Sequence, residues 1–133
     1  SAMSQFDIRH VEIQPITLLW SDWHTWDRLT IDARTNANAI TPPSSSGVYE
    51  ARLQGQDERL TIGKAANLRR RVKQGLVKGK SPHSAGKDIR ALEDTSRILI
   101  RWAETDRPAA VEEDLHRRYK EVFGRLPKYT DRT

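Results

Sequence analysis

The chain has 133 residues and a mass of 15.3 kDa, the size of one domain, and folding at this size hides roughly two-thirds of the unfolded surface, enough for a core without staples. Cysteine is absent, which excludes disulfides, thiolate metal sites and thiol catalysis; with 36% hydrophobic and 31% charged residues the chain is neither membrane-spanning nor plainly disordered. The net charge is +5, and the whole excess lies in residues 64–90, which hold nine basic groups against one acid.

In chain order, Trp20, Trp23 and Trp26 come first, and their spacing of three predicts a helix with the rings along one side, capped by Ser21 or Asp22. Such a stripe reads either as packing or as an aromatic wall beside a site. Thr41-Pro42-Pro43-Ser44-Ser45-Ser46-Gly47 cannot continue a helix and reads as a connector. It separates a Trp-rich extension over residues 1–43, expected to pack on the core, from a domain over residues 44–133. Gly47 to Leu53 alternates and predicts a strand, Gln54 to Asp57 a turn, and Glu58 to Gly63 a second strand, together a hairpin. Asn67 is an N-cap for a basic helix from Leu68 to Leu76, and a loop over Lys78 to Gly86 leads to a short helix from Lys87 to Glu93. Arg97 to Ala103 predicts the third strand. Thr105 or Asp106 caps a last helix that carries Pro108 in its first turn and runs to Phe123, where Gly124 supplies a left-handed stop. This order predicts an α+β fold, with helices packed on a small sheet of three strands and an N-terminal helical extension.

A segment as basic as 64–90 concentrates a polyanion by releasing its counterions, although a solvated helix face that aids solubility has the same composition. It contains no aromatic residue, so contact with phosphate fits it better than stacking on bases. Lys64, Arg69, Arg70, Lys73, Lys78, Lys80 and Lys87 are the candidate nucleic-acid contacts. In the last helix, at about 100° per residue, Val111, Leu115, Tyr119 and Val122 form the expected buried stripe. Glu112 falls just beyond its edge, whereas Glu113 and Asp114 point away. A partly buried carboxylate needs a cation or a metal, so Glu112 is either half of an ion pair or a ligand. In the basic helix Leu68, Val72, Gly75 and Leu76 line one side, with Arg71 bordering it. Arg71 and Glu112 are thus either partners of each other or the two poles of a metal-assisted phosphodiester cleavage site.

At this point the chain resembles the GIY-YIG nuclease superfamily over roughly residues 45–130. Gly47-Val48-Tyr49 is similar to the first signature, and Thr61-Ile62-Gly63 stands where the second belongs. Gly63-Lys64-Ala65-Ala66-Asn67-Leu68-Arg69-Arg70-Arg71 resembles the family's glycine-lysine and arginine-helix run, and Val111 to Tyr119 resembles the helix carrying its metal-binding glutamate, which falls on Glu112. The resemblance implies a three-stranded antiparallel sheet flanked by helices. It also implies one divalent ion, Mg2+ or Mn2+, on Glu112, with water and phosphate completing the shell. By the same resemblance Tyr49 positions or deprotonates the attacking water, Arg71 stabilises the transition state, and Lys64 contacts the phosphate or tunes Tyr49. Gly47 and Gly63 would let backbone and substrate approach closely. The second signature opens with Thr61 in place of tyrosine; threonine can hydrogen-bond a water but supplies no phenolate. The asparagine often found after the last helix is replaced by the neighbourhood of Tyr129-Thr130.

His83, in a basic loop, is a candidate auxiliary acid or phosphate contact. His10, His24 and His116 have no partners at metal-ligand spacing, so no zinc site is expected. The leading expectation is a metal-dependent DNA endonuclease of a repair or restriction type, cytoplasmic and without a membrane segment. The alternatives are a nucleic-acid-binding module that has lost its chemistry, and an accessory protein that meets a partner, or a second copy of itself, through the tryptophan-rich segment. RNA is a less favoured substrate than DNA.

Overall fold

The computed structural model describes residues 5–79 and 82–130; Lys80, one of the candidate phosphate contacts, lies outside the described residues. The hairpin forms as expected. β2 (Gly47–Leu53) and β3 (Arg59–Ala65) are antiparallel, with Tyr49 opposite Gly63 and Ala51 opposite Thr61. β4 (Ile98–Glu104) pairs antiparallel on the other side of β2, with Tyr49 opposite Trp102. The sheet nevertheless has four strands, not the expected three: His24–Thr25 form a short β1 on the outer edge of β4, giving the order β1-β4-β2-β3.

That fourth strand replaces the predicted tryptophan helix. Only Trp26–Thr30 is helical (α1). The rings of Trp20 and Trp23 find cations on the sheet instead of neighbours along a helix. Trp23 lies 4.5 Å from the guanidinium of Arg52, 5.0 Å from that of Arg59 and 4.5 Å from that of Arg101, while Trp20 lies 4.3 Å from Arg101. Two of these arginines hold Glu50, a buried carboxylate bonded to Arg101 Nε at 2.6 Å and Arg59 Nε at 3.1 Å. Tertiary contact here outweighs the local spacing. Trp26 and Leu29 pack in the same core as Tyr49, Ile100 and Trp102.

Strand alternation sends side chains to two layers. On one face Tyr49, Ala51, Ile100 and Trp102 meet Leu68, Val72 and Leu76, together with Ile89 of α2 (Ser84–Leu92). On the other, Val48 and Ala103 meet Val111 of α3 (Pro108–Phe123), with Leu115 and Trp20 packed alongside. α3 ends at Gly124, at φ 76°, as the sequence predicts. Its buried side differs from the predicted stripe: Val111, His116 and Tyr119 are buried, and Val122 is 75% exposed.

The basic helix also differs. It spans Arg70–Lys78 and is wound as a π-helix, the wider i→i+5 form. Its buried residues are Val72, Lys73, Leu76 and Val77. Lys73 is buried and Arg71 exposed, so the arginine expected to border the inward side lies outside it. Arg90 of α2 holds the last turn, donating to the carbonyls of Gln74, Leu76 and Gly79 at 3.1, 2.8 and 2.6 Å. α2 starts at Ser84, earlier than the predicted Lys87, because His83 caps it: His83 Nδ1 accepts from the Gly86 N–H at 2.9 Å. Among the described residues no helix is long and apolar enough to cross a membrane.

Candidate active site

β3 is an edge strand, and along its outer side runs a cleft of about 450 Å³. One wall comes from the π-helix and the start of α2, the other from α3. The six residues singled out for catalysis, Tyr49, Thr61, Lys64, Arg71, His83 and Glu112, all line it. Sheet geometry explains half of this gathering. Tyr49 and Ala51 face the same layer as their partners Gly63 and Thr61. The Tyr49 ring crosses over Gly63, where an added Cβ would stand 2.5 Å from the phenol oxygen. Gly63 therefore makes room for Tyr49. Gly47 makes room for packing and not, as the resemblance implies, for substrate: a Cβ there would meet the Ala103 carbonyl and Leu68.

Glu112 is half-buried on α3 and, among the described residues, forms no ion pair or hydrogen bond. The ion-pair reading of this carboxylate is thereby excluded within the described structure. Arg71 and Lys64, both exposed, likewise make no bond to a carboxylate there. The neighbouring Asp114 behaves differently: it is held by Arg117 and by Arg118 Nε at 2.7 Å. Its carboxyl sits below the usual range because both arginines donate to it, that of Arg118 first.

Tyr49 Oη lies 3.1 Å from His83 Nε2. The Gly86 N–H bond to Nδ1 fixes the direction of this contact. With Nδ1 acting as acceptor, the neutral ring carries its proton on Nε2, so His83 donates and the phenol oxygen accepts. His83 in this arrangement stabilises charge developing on the phenol oxygen and does not take a proton from it.

Thr61 is buried, with its hydroxyl 3.4 Å from Thr130 Oγ1, which also accepts from the Ile62 N–H at 3.1 Å. Tyr129, a second phenol in the cleft, is engaged: it donates to Glu93, and burial followed by that carboxylate pushes its pKa up. It is therefore no substitute for the tyrosine missing at position 61. Sequence reasoning did not select His116 or Thr130, which also line the cleft. His116 Nε2 is 2.8 Å from the Ile62 carbonyl, and its Nδ1 is buried without a partner. The signal for His116 was present, since it lies four residues after Glu112 and so on the same side of the helix. Thr130 was marked only as part of the Tyr129-Thr130 neighbourhood where the resemblance expects an asparagine.

Of the candidate phosphate contacts, Lys64 lies in the cleft, while Arg69, Arg70, Lys73 and Lys78 line a separate hollow beyond the π-helix. Lys87 is exposed on α2 and lines neither. Among the described residues no three His, Asp or Glu side chains gather as a metal cage. A single free carboxylate in an open, polar cleft is a donor set that suits a hydrated hard cation such as Mg2+, which keeps most of its waters, and not zinc. Comparison of the chain with protein-family models, with curated proteins and with solved structures finds no match, so its function has to be argued from the side chains themselves.

Proposed function

We propose that this chain is a metal-dependent endonuclease of the GIY-YIG type that hydrolyses phosphodiester bonds in DNA. One observation carries the reading: Glu112 opens into a cleft also lined by Arg71 and Lys64, yet among the described residues the acid and the two bases are unpaired. A carboxylate and cations kept for stability would be expected to neutralise one another. Held apart, they suit two different visitors, a divalent cation for the acid and a phosphate for the bases.

In this reading Glu112 holds Mg2+ or Mn2+, which when bound supplies Lewis-acid stabilisation of the phosphate. Tyr49, once its own proton has left to solvent, orients the attacking water and accepts a proton from it as a phenolate. The His83 Nε2–H, already directed at the phenol oxygen, stabilises the negative charge that this oxygen carries before the water's proton arrives. Arg71 and Lys64 bind the phosphate oxygens, and the rigid fork of Arg71 matches the charge that grows there. Plasmid DNA incubated with Mg2+ or Mn2+ should be nicked. Glu112→Gln should remove the activity by 10²-fold or more, on the order of one electrostatic contact to the transition state, with an unchanged melting temperature. A Glu112→Gln protein that cuts as fast as the wild type would refute the assignment.

A second reading has its own observation in Thr61, whose buried hydroxyl is directed to Thr130 and brings no phenol to the second signature. Under it the chain binds nucleic acid without cutting it. Salt-sensitive binding with no nicking in any divalent ion would favour that reading.

A further inference from the structure

On the far side of the π-helix from the cleft lies a hollow of about 550 Å³. Residues 32–34 and Thr41 of the N-terminal extension form one wall, and Arg69, Lys73 and Lys78 the other. Lys73 is 8% exposed, and its ammonium makes a single contact, 3.4 Å to the hydroxyl of Thr41. An ammonium has three N–H donors, and a long bond to one neutral oxygen does not satisfy them. Among the described residues the only acid lining the hollow is Asp32, and both of its oxygens are held by Arg34, at 3.2 and 3.0 Å. The hydrogen bond from Arg34 keeps that carboxyl at about 2. Burial lowers the pKa of Lys73, the charges of Lys78 and Arg69 push it the same way, and Asp32, the smallest contributor, pushes it back. A largely buried cation whose one acidic neighbour is already held by Arg34, beside two further cations, is costly. An anion in the hollow would relieve the desolvation and the repulsion together.

The hollow is not isolated from the cleft. A third depression, of about 410 Å³, shares Arg71 and His83 with the cleft and shares Asn67, Arg70 and Gln74 with the Lys73 hollow. The three form one groove across the π-helix, with basic side chains at both ends and along its length. No aromatic residue occurs in residues 64–90 to stack a base, so the groove suits a sugar–phosphate backbone.

We propose that the Lys73 hollow is a second phosphate subsite, which takes a backbone phosphate of the same DNA strand whose scissile phosphate lies in the Glu112 cleft. The proposal rests on the nuclease reading for the identity of the strand but not for its own test. The N-terminal extension gains a binding role from it, since residues 32–34 and Thr41 form part of the pocket wall.

The test is the anisotropy of dye-labelled DNA bound to the full chain in EDTA, where binding is read without cleavage. A series of single strands and duplexes, from a trinucleotide upward, is measured over a range of salt. Lys73→Met keeps the buried stem and removes the charge; Arg69→Ala removes the charge of an exposed member of the pocket and leaves the core intact. Each should weaken the longer ligands by about tenfold and reduce the salt slope by about one, the signature of one lost phosphate contact. Binding of the trinucleotide, which fills only the cleft, should be unchanged. Unaltered affinity and slope in both variants would overturn the proposal, as would an equal loss for the trinucleotide. Inorganic phosphate that protects Lys73 from amine modification, with no change in the DNA slopes, would make the hollow a free-anion site and would also overturn it. Wild-type cleavage in Mg2+ is scored separately. Reduced slopes without any cleavage would uphold the groove and remove the nuclease, and cleavage with unchanged slopes would do the reverse.

Discussion

Gly63→Ala tests the construction of the cleft more sharply than removal of a charged group. Gly63 lies directly opposite Tyr49, and an alanine Cβ would stand 2.5 Å from Oη and 2.7 Å from Cζ. Ordinary contact begins near 3.4 Å, so the ring must retreat by about 1 Å, a shift large enough to cost on the order of 10²-fold in a positioned reaction. The Tyr49–His83 contact, now 3.1 Å, would pass out of hydrogen-bond range. Overpacking of this kind should also cost about 1–3 kcal/mol of stability. Two assays separate the effects. Urea unfolding reads the stability, and 15N spectra of the histidine ring read whether Nε2–H still meets the phenol. Plasmid nicking then reports whether the displaced ring matters. If the His83 resonances and the nicking rate match those of the wild type, Gly63 is not what seats Tyr49, and the account of the cleft built on that pair is wrong.

Two further outcomes follow from buried charge. Glu50→Gln leaves Arg59 and Arg101 facing an amide, and because both guanidinia are partly exposed the loss should fall near the lower end for a broken buried pair, about 3 kcal/mol. A change under 1 kcal/mol in denaturant unfolding would show that cation–π contact with Trp20 and Trp23 suffices without the acid. Glu93 is raised by burial but lowered more by the hydrogen bonds from Lys128 and Tyr129, so its folded pKa lies below the ordinary 4.5. Its ionised form therefore stabilises the fold above pH 4.5, and that contribution disappears as the pH falls through the lower folded value. Glu93→Gln should be less stable than the wild type at neutral pH, with the gap closing on acidification. A gap independent of pH would argue against the ionised clamp.

The parts of the fold legible in the sequence were those fixed by local chemistry. The alternation of residues 47–53, the turn at Gln54–Asp57 and the stop at Gly124 needed no distant partner, and the strand and the stop form where they were expected. Glu112 could be singled out because its position on a regular helix is a matter of angle. The misplaced parts depended on partners or on irregular winding. Trp20 and Trp23 are spaced for a helix but are drawn onto three arginines that come from three different strands. Arg71 lies outside the buried side it was expected to border, while Lys73 lies in it; the helix is π-wound, and nothing in residues 70–78 signals that widening. Val122 continues the periodic stripe of α3, yet His116 takes the buried place, since the helix lies against β3, where the Ile62 carbonyl requires a donor. Thr130 reaches the cleft only through the return of the chain to β3, where the Tyr129 N–H bonds the Leu60 carbonyl at 2.7 Å.

That return has a consequence for self-association. An unprotected edge recruits strands from other molecules, and sheet augmentation is a common route to dimers and fibrils. Here the outer side of β3 has its Ile62 N–H and C=O taken by Thr130 and His116 and its Leu60 carbonyl taken by Tyr129. The opposite edge strand, β1, is only two residues long, and the β4 backbone behind it is covered at Leu99 and Ile100 by β1 and at Trp102 by Ser21, through backbone and hydroxyl together. Along these stretches a second copy finds little continuous backbone to zip onto, which favours side chains on the helical faces for any pairing of two molecules.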